Sequence, residues 1–230
     1  MAGYRRASNE QPSLPAAFSG SSRFPKSPPT RSGESGAWTW GATGDESAAL
    51  LPGDDLLGDP SIVSTRAIDI DAPPGFIWPW LAQMGSGRGG LYTYDWIENL
   101  LGLHMHSVDV VLREFQDIKV GDDQKLGKRG PTLRVAVCEP DQALVFHSDD
   151  GNWVWAFVLH QPAEAPIRLV SRNRIRTPGA SHSARLLYRY VMEPGSLVME
   201  RKMLLGIKRR AEKFAHENVV AMRPTVAEIA

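Results

Sequence analysis

A long helical pattern near the C-terminus is the feature that most constrains this fold. It follows Pro194-Gly195, and its apolar residues recur at helical spacing while most of its basic residues lie off that line. The apolar stripe consists of Met199, Met203, Ile207, Ala211 and Phe214. A helix with one such face must bury it against another element, and we expect that element to be a sheet.

Strand-like runs that could form this sheet lie upstream. The run from Ile62 to Asp71 ends in clean alternation, and the run Trp153–His160 is the clearest strand of the chain. Further strands are expected at 133–137 and 143–146, and within 108–120. One face of the clearest strand carries Trp153, Trp155, Phe157 and Leu159. We expect this aromatic face to look inward.

The last strand-like run, Ile167–Ile175, carries arginine at alternating positions. Arg168, Arg172 and Arg174 share one face, whereas the other face carries Leu169, Ser171 and Asn173. A face lined by arginine usually meets water, and this is our expectation here. Arg172 and Arg174 would hold a carboxylate or a phenolate only if their face turned inward.

Between the first strand and the later strands, aromatic residues gather around a glycine-rich turn, Gly85–Gly90. The spacing of 76–81 is helical but includes Pro79, so we expect two short turns or a kink, followed by a second short helix at 94–101. The letters of 85–90 satisfy the spacing of a dinucleotide loop, yet they neither follow a hydrophobic strand nor open a helix. We interpret them as a flexible turn that could cover a cavity.

Composition divides the chain into three parts. Residues 1–50 are rich in Ser, Pro, Gly, Ala and Arg, which predicts a disordered tail. Trp38 and Trp40 could dock this tail on the folded part or on a partner. We expect one folded domain at 51–215 and a C-terminal extension at 216–230.

Charge and apolar content exclude several classes of protein. The formal net charge is zero, which argues against a dedicated nucleic-acid binder. Residues 51–164 carry 8 basic against 17 acidic side chains and residues 165–230 carry 13 against 5, so we expect these parts to lie against each other. No run of about 18 apolar residues is present, so no transmembrane segment is expected. The single cysteine, Cys138, cannot form an internal disulfide, and a cytoplasmic protein is expected.

The sequence offers little for metal or nucleophilic chemistry. His104 and His106 could point two imidazoles the same way, but no third ligand stands at a telling spacing. No serine lies in a nucleophile-elbow pattern, and Cys138 has no evident base. We therefore expect no metal and no cofactor.

Seven short segments carry a resemblance to a known superfamily. They are Ala72-Pro73-Pro74, Trp78-Pro79-Trp80-Leu81, Gln83-Met84-Gly85, Arg88-Gly89-Gly90, Tyr94-Asp95-Trp96, Val120-Gly121-Asp122 and the helical segment 199–208. Together with the order of the elements, they make residues 51–215 resemble the SRPBCC superfamily, also called START-like or Bet v 1-like, and a bacterial branch within it.

This resemblance implies an α+β helix-grip fold. In that fold a curved antiparallel sheet wraps around a long C-terminal helix, and two short helices follow the first strand. The resemblance also implies a cavity for an apolar or aromatic small molecule such as a lipid, sterol, polyketide or hormone. Some members use the cavity as polyketide cyclases or aromatases, but the branch supplies no catalytic residue to carry over.

Aromatic, amide and thioether side chains are the candidates for the wall of this cavity. The predicted ligand-binding set is Trp80, Gln83, Tyr92, Tyr94, Trp96, Trp153, Trp155, Phe157, Asn173, Met199 and Met203. Each of these residues could equally fill a solid core. As a set, we expect them to bind a hydrophobic or aromatic small molecule between the sheet and the C-terminal helix.

Two alternatives stay open. An enzyme similar to polyketide cyclases or dehydrases would use Tyr92 or Tyr94 as proton donor and Gln83 or Asn173 to orient a carbonyl. An interaction module would regulate a protein partner through the basic segment Lys208-Arg209-Arg210 of the C-terminal helix.

Overall fold

The computed structural model describes residues 39–100, 102–127, 130–161, 166–179, 181 and 193–222. Its helices are α1 (Gly44–Ala48), α2 (Pro74–Ala82), α3 (Asp95–Leu100) and α4 (Glu193–Met222). Its strands are β1 (Ile62–Ile70), β2 (Asp123–Lys125), β3 (Thr132–Glu139), β4 (Ala143–Ser148), β5 (Trp153–His160) and β6 (Ile167–Ile175). Two short 3₁₀ turns lie at Asp54–Leu56 and Arg113–Phe115.

The six strands form one antiparallel sheet in the order β1-β6-β5-β4-β3-β2. The sheet is curved, and α4 lies against its inner face, which is the predicted α+β helix-grip arrangement. Alternation places one set of apolar side chains of the longer strands on that face, where they meet the stripe of α4. Leu144, Phe157, Leu169 and Ile207 are fully buried in the resulting core.

Most predicted elements are confirmed, and two local predictions are wrong. Residues 108–120 form no strand and contain only the 3₁₀ turn at 113–115. Residues 74–82 form one helix, so the alternative of two short turns is wrong. The hydrogen bond that Pro79 cannot donate would go to Gly75, in the first turn of the helix. The helix therefore loses one bond near its end and continues.

The outer face of the sheet is covered by residues 39–58, which we call the N-terminal strap. Leu51 packs on Ala67, Val158 and Val170, and Leu57 packs on a second small cluster. That cluster comprises Val145, Val154 and Ala156. Residues 39–50, assigned by composition to the tail, thus belong to the folded unit, whereas residues 1–38 lie outside the described residues.

The arginines of β6 hold the strap in place. Arg172 is 2% exposed; its guanidinium donates to the carbonyls of Ala49 and Glu46, both at 2.7 Å, and to Asp54 Oδ2 at 2.6 Å. Arg168 binds Glu46 at 2.8 Å. A buried guanidinium is tolerated only when its donors are satisfied, and the strap supplies the acceptors.

The contacts of the arginines decide two expectations from the sequence. The arginine face of β6 does not meet water, because the strap covers it. The acidic and basic parts of the chain do lie against each other, as the Arg172–Asp54 and Arg210–Asp109 pairs show at 2.6 and 2.7 Å.

Among the described helices, none is both long and apolar enough to cross a membrane.

We predict that Arg172→Ala lowers the free energy of unfolding by about 3–5 kcal/mol, because it leaves the buried carbonyls of Glu46 and Ala49 without the Arg172 donor. It also removes the closest cation of Asp54, which keeps only Arg174 at 3.4 Å and the Leu51 N–H at 3.0 Å. Urea denaturation measures this change. The matched control is Arg134→Ala, which removes an exposed pair with Asp123 and should leave the midpoint unchanged. Equal midpoints for the two variants would contradict the role assigned to the strap contacts.

Candidate functional site

A cleft of about 390 Å³ opens at one end of the inner face, where β1, β5 and β6 meet the first turns of α4. It is lined by Ile62, Ser64, Arg66, Asp150, Asn152, Trp153, Asn173, Ile175, Arg176 and Ser196. Strand register explains this grouping. Ile175 pairs with Ile62 on one side and with Trp153 on the other, and all three project to the inner face.

A buried polar cluster lies beneath this cleft and consists of Arg66, Ser171, Asn173 and Glu200. Glu200 of α4 forms an ion pair with Arg66 of β1. The Ser171 hydroxyl donates to Glu200 Oε1 at 2.5 Å, and the Asn173 amide donates to its two oxygens at 3.2 and 3.1 Å. The cluster therefore ties the helix to two neighbouring strands.

The indole N–H groups of β5 complete the cluster. Trp155 Nε1 donates to the Ser171 hydroxyl at 3.1 Å, and Trp153 Nε1 donates to Asn173 Oδ1 at 2.8 Å. The two indoles are stacked at 5.5 Å with an interplanar angle of 19°. Each ring is thus fixed by a hydrogen bond at its polar atom, which makes this end of the sheet a rigid aromatic surface.

The predicted ligand set includes four residues of β5 and β6, and three of them, Trp153, Trp155 and Asn173, lie at this end of the sheet. They differ in how far they are exposed to the cleft. Trp153 is half-buried and lines the cleft, and Asn173 lines its floor. Trp155 is 7% exposed, and Phe157 is fully buried, 4.9 Å from the Trp155 ring. Trp153 and Asn173 are therefore the members of the predicted set that border open space.

A second group of predicted residues packs on the other side of α4. Trp80, Gln83 and Tyr92 are each at most 2% exposed. The Tyr92 hydroxyl donates to the Trp80 carbonyl at 3.0 Å, and Gln83 accepts from Leu112 N at 2.9 Å. The polar atoms of Gln83 and Tyr92 are used within the chain, and all three side chains are buried in the core and do not line the cleft.

The remaining predicted residues are scattered. Trp96 is 69% exposed, and Met203 is buried in the core. Met199 and Tyr94 are half-buried, with the Lys202 ammonium 5.5 Å from the Tyr94 ring. None of these four residues lines the cleft.

The glycine-rich turn lies beside the core group. Gly85 and Gly90 form an isolated bridge, and a Cβ on Gly89 would lie 2.8 Å from the Gln83 side chain. Glycine is thus required there for close packing. The turn covers Gln83 and is not part of the cleft.

The basic segment of α4 is largely used inside the molecule. Arg210 is buried and donates to the Val108 carbonyl at 2.8 Å, while Lys208 donates to the Asp69 carbonyl at 2.6 Å. Of these three basic residues, Arg209 keeps most of its surface exposed, at 69%. The segment therefore serves the packing of α4.

A larger concavity, of about 610 Å³, lies near the start of α2 and the β3–β4 turn. Its apolar walls are Pro74 and Leu159, and the other lining residues are Gly75, Asp141, Gln142, His160 and Gln161. A site for an apolar ligand needs apolar walls, so the smaller cleft is the better candidate. No cluster of three or more potential metal-ligating side chains occurs among the described residues.

Arg66, Ser171 and Glu200 were not singled out as site residues from the sequence. A signal for them exists, because Arg66 occupies an inward position of β1 in alternation with Ser64 and Ile68. Glu200 likewise falls beside the buried stripe of α4. Opposite charges at two inward positions predict a buried pair once the packing of helix on sheet is known.

No protein-family model matches the sequence, and no curated protein is significantly similar to it. The chain is similar to the solved Aha1 dimer from Colwellia psychrerythraea, with 15% identity, 66% of this chain and 96% of that chain covered, and a TM-score of 0.37. It is also similar to a polyketide-cyclase-like protein from Corynebacterium glutamicum, with 17% identity, coverage of 72% and 96%, and a TM-score of 0.31.

A protein from Nitrosomonas europaea shows 12% identity, coverage of 71% and 99%, and a TM-score of 0.40. These values transfer no site and no activity to this chain. The helix-grip fold expected from the resemblance is confirmed by the strand order and by the long helix on the inner face.

Tyr92 gives a pH-dependent test of the core assignment. Burial raises the pKa of its hydroxyl far above the ordinary value of 10.0, although the nearby Arg210 charge opposes this shift. Above about pH 10 the unfolded chain releases this proton while the folded chain keeps it, so stability falls by about 1.4 kcal/mol per pH unit.

Tyr92→Phe removes this loss. We predict that the variant is less stable than the parent by about 1 kcal/mol at neutral pH, because the hydrogen bond to Trp80 is gone. The difference should shrink and then reverse as the pH rises above about 10. Denaturant titrations across this range measure it, and a difference independent of pH would contradict the burial of the hydroxyl.

Proposed function

We propose that this protein binds a hydrophobic or aromatic small molecule in the cleft between the sheet and the start of α4. The observation that carries the proposal is the half-buried Trp153 ring, which borders about 390 Å³ of open space. Known small-molecule sites enclose roughly 300–1,000 Å³ and combine apolar walls with a few fixed polar groups.

The cleft supplies both kinds of surface. Ile62, Ile175 and Trp153 offer an apolar wall, and Asn173 and Ser64 offer hydrogen-bonding groups at the floor. The Trp153 ring is held by its bond to Asn173, so a planar ligand would stack on it with little loss of side-chain entropy. This preorganisation supports binding of an aromatic group.

We propose binding without an assigned catalytic step. Neither predicted proton donor, Tyr92 or Tyr94, lines the cleft, and the Tyr92 hydroxyl is engaged in the core. Of the two predicted orienting groups, Gln83 is engaged in the core and only Asn173 lines the floor of the cleft. A general acid must lie within hydrogen-bond reach of the group that it protonates. The geometry of these residues therefore supports a carrier or sensor more than a cyclase.

We further propose a reducing compartment, such as the cytoplasm. Cys138 is a free thiol, half-buried in β3, and burial raises the pKa of this thiol. A thiol of this kind is slow to react and behaves as a small apolar residue. Fractionation of the source cell tests the proposal, and recovery of the protein outside the cytoplasm would overturn it.

The binding proposal is tested with 2-naphthamide, a small neutral aromatic probe, followed by calorimetry or by Trp fluorescence. Trp153→Ala should weaken its binding at least about tenfold, because the stacking surface is lost. Trp96→Ala is the matched control, since it removes an indole that is 69% exposed and lies outside the cleft. Equal affinity of the two variants for the probe would refute the site.

A further inference from the structure

We propose that the cleft selects neutral ligands and discriminates against carboxylates and ammonium groups, because Arg66 and Glu200 neutralise each other beneath its floor. This inference rests on the proposed function, since it concerns the same site. The expected ligand is a planar apolar molecule whose polar end is an uncharged hydrogen-bonding group, such as an amide, ketone or hydroxyl.

The charges of the cluster are buried and opposite in sign. The side chains of Arg66 and Glu200 are 0% and 6% exposed. Glu200 also accepts hydrogen bonds from Ser171 and Asn173, so its oxygens are surrounded by donors from the protein. The pair therefore presents almost no net charge to the space above it.

The rim of the cleft is balanced in the same way. Asp150 and Arg176 are its charged residues besides Arg66. Asp150 accepts from Ser148 at 2.6 Å and from Asn152 N at 3.0 Å, and these bonds lower its pKa below the ordinary value. Arg176 donates to the Gly58 carbonyl at 2.5 Å. One anion and one cation thus stand at the mouth.

A charged ligand would find no uncompensated partner in this site. A carboxylate placed near Arg66 would also lie near Glu200, and a cation near Glu200 would meet Arg66. Coulomb interactions are strong where water is excluded, so repulsion from the like charge of the pair offsets attraction to the opposite charge. The ligand would lose the hydration of its own charge without gaining a net favourable interaction in the site.

A neutral polar group has suitable partners at the floor. Asn173 and Ser64 lie on facing positions of β6 and β1, and Ser196 lies on the first turns of α4. The hydroxyls of Ser64 and Ser196 can donate to or accept from a ligand, and Asn173 Oδ1 keeps a second lone pair beside its bond to Trp153 Nε1. None of these contacts needs a change in charge. The chemistry of the lining therefore fits an uncharged head group.

Three probes of one shape test the inference. 2-Naphthamide is neutral, 2-naphthoate is an anion and 2-naphthamidinium is a cation, and each carries the same ring with a planar three-atom head. We expect the parent protein to bind the amide at least about tenfold more tightly than either ion, at the low end of coupling between close charges in an interface. Isothermal calorimetry at neutral pH measures the three affinities.

Charge variants then shift the preference in opposite directions. Glu200→Gln leaves Arg66 unbalanced and should raise the affinity for naphthoate relative to the amide by about tenfold or more. Arg66→Met leaves Glu200 without its cation and should raise the affinity for naphthamidinium relative to the amide by a similar factor. The double variant carries neither charge and should keep the preference of the parent for the amide.

The design tolerates a variant that fails to fold. An unpaired buried charge is destabilising, whereas replacing both members of a buried pair is often close to neutral for stability. The double variant and the measurements on the parent therefore remain informative. They test the inference even if a single variant is lost.

The outcomes separate this inference from the function on which it rests. If naphthoate or naphthamidinium binds the parent as tightly as the amide, small-molecule binding stands and selection for neutral ligands is overturned. Folded single variants with the charge preference of the parent would overturn it as well. If none of the three probes binds the parent, the proposed function fails, and this inference fails with it.

Discussion

Strand β6 carries polar or charged side chains on both faces, and the structure depends on hydrogen-bond partners for them on each side of the sheet. Its outward positions carry Arg168, Arg172 and Arg174, and its inward positions carry Ser171 and Asn173. Burial of such residues is tolerable only if partners meet them on each side of the sheet. The N-terminal strap meets the outer face and helix α4 meets the inner face, so one strand fixes the position of both.

This two-sided constraint explains why the outer face was misjudged from the sequence. Alternation correctly separated the arginines from Ser171 and Asn173, but the pattern says nothing about what covers a face. Most acceptors of Arg172 are backbone carbonyls in the strap, including those of Glu46 and Ala49. Every residue type has a carbonyl, so composition gives no sign that residues 39–50 will provide them.

The fold was more predictable than the site for a physical reason. Periodicity reports which side chains share a face, and this was enough to place β1, β5 and β6 and the stripe of α4. A cleft depends instead on how far apart packed surfaces stand. Trp80 and Trp153 look alike in the sequence, yet one is 2% exposed in the core and the other borders open space. That difference arises only from tertiary packing.

Under the proposed function, the location of the Arg66–Glu200 pair is better explained by recognition than by stability. A buried ion pair gives up the hydration of both charges, and apolar residues of similar volume often stabilise a core as well or better. The core around Ile207 and Leu144 shows that the sheet and helix of this protein also pack through apolar side chains. At the floor of the cleft, the pair fixes the helix beside the open space of the cleft and sets the electric field there. A pair of apolar residues could do the first of these but not the second.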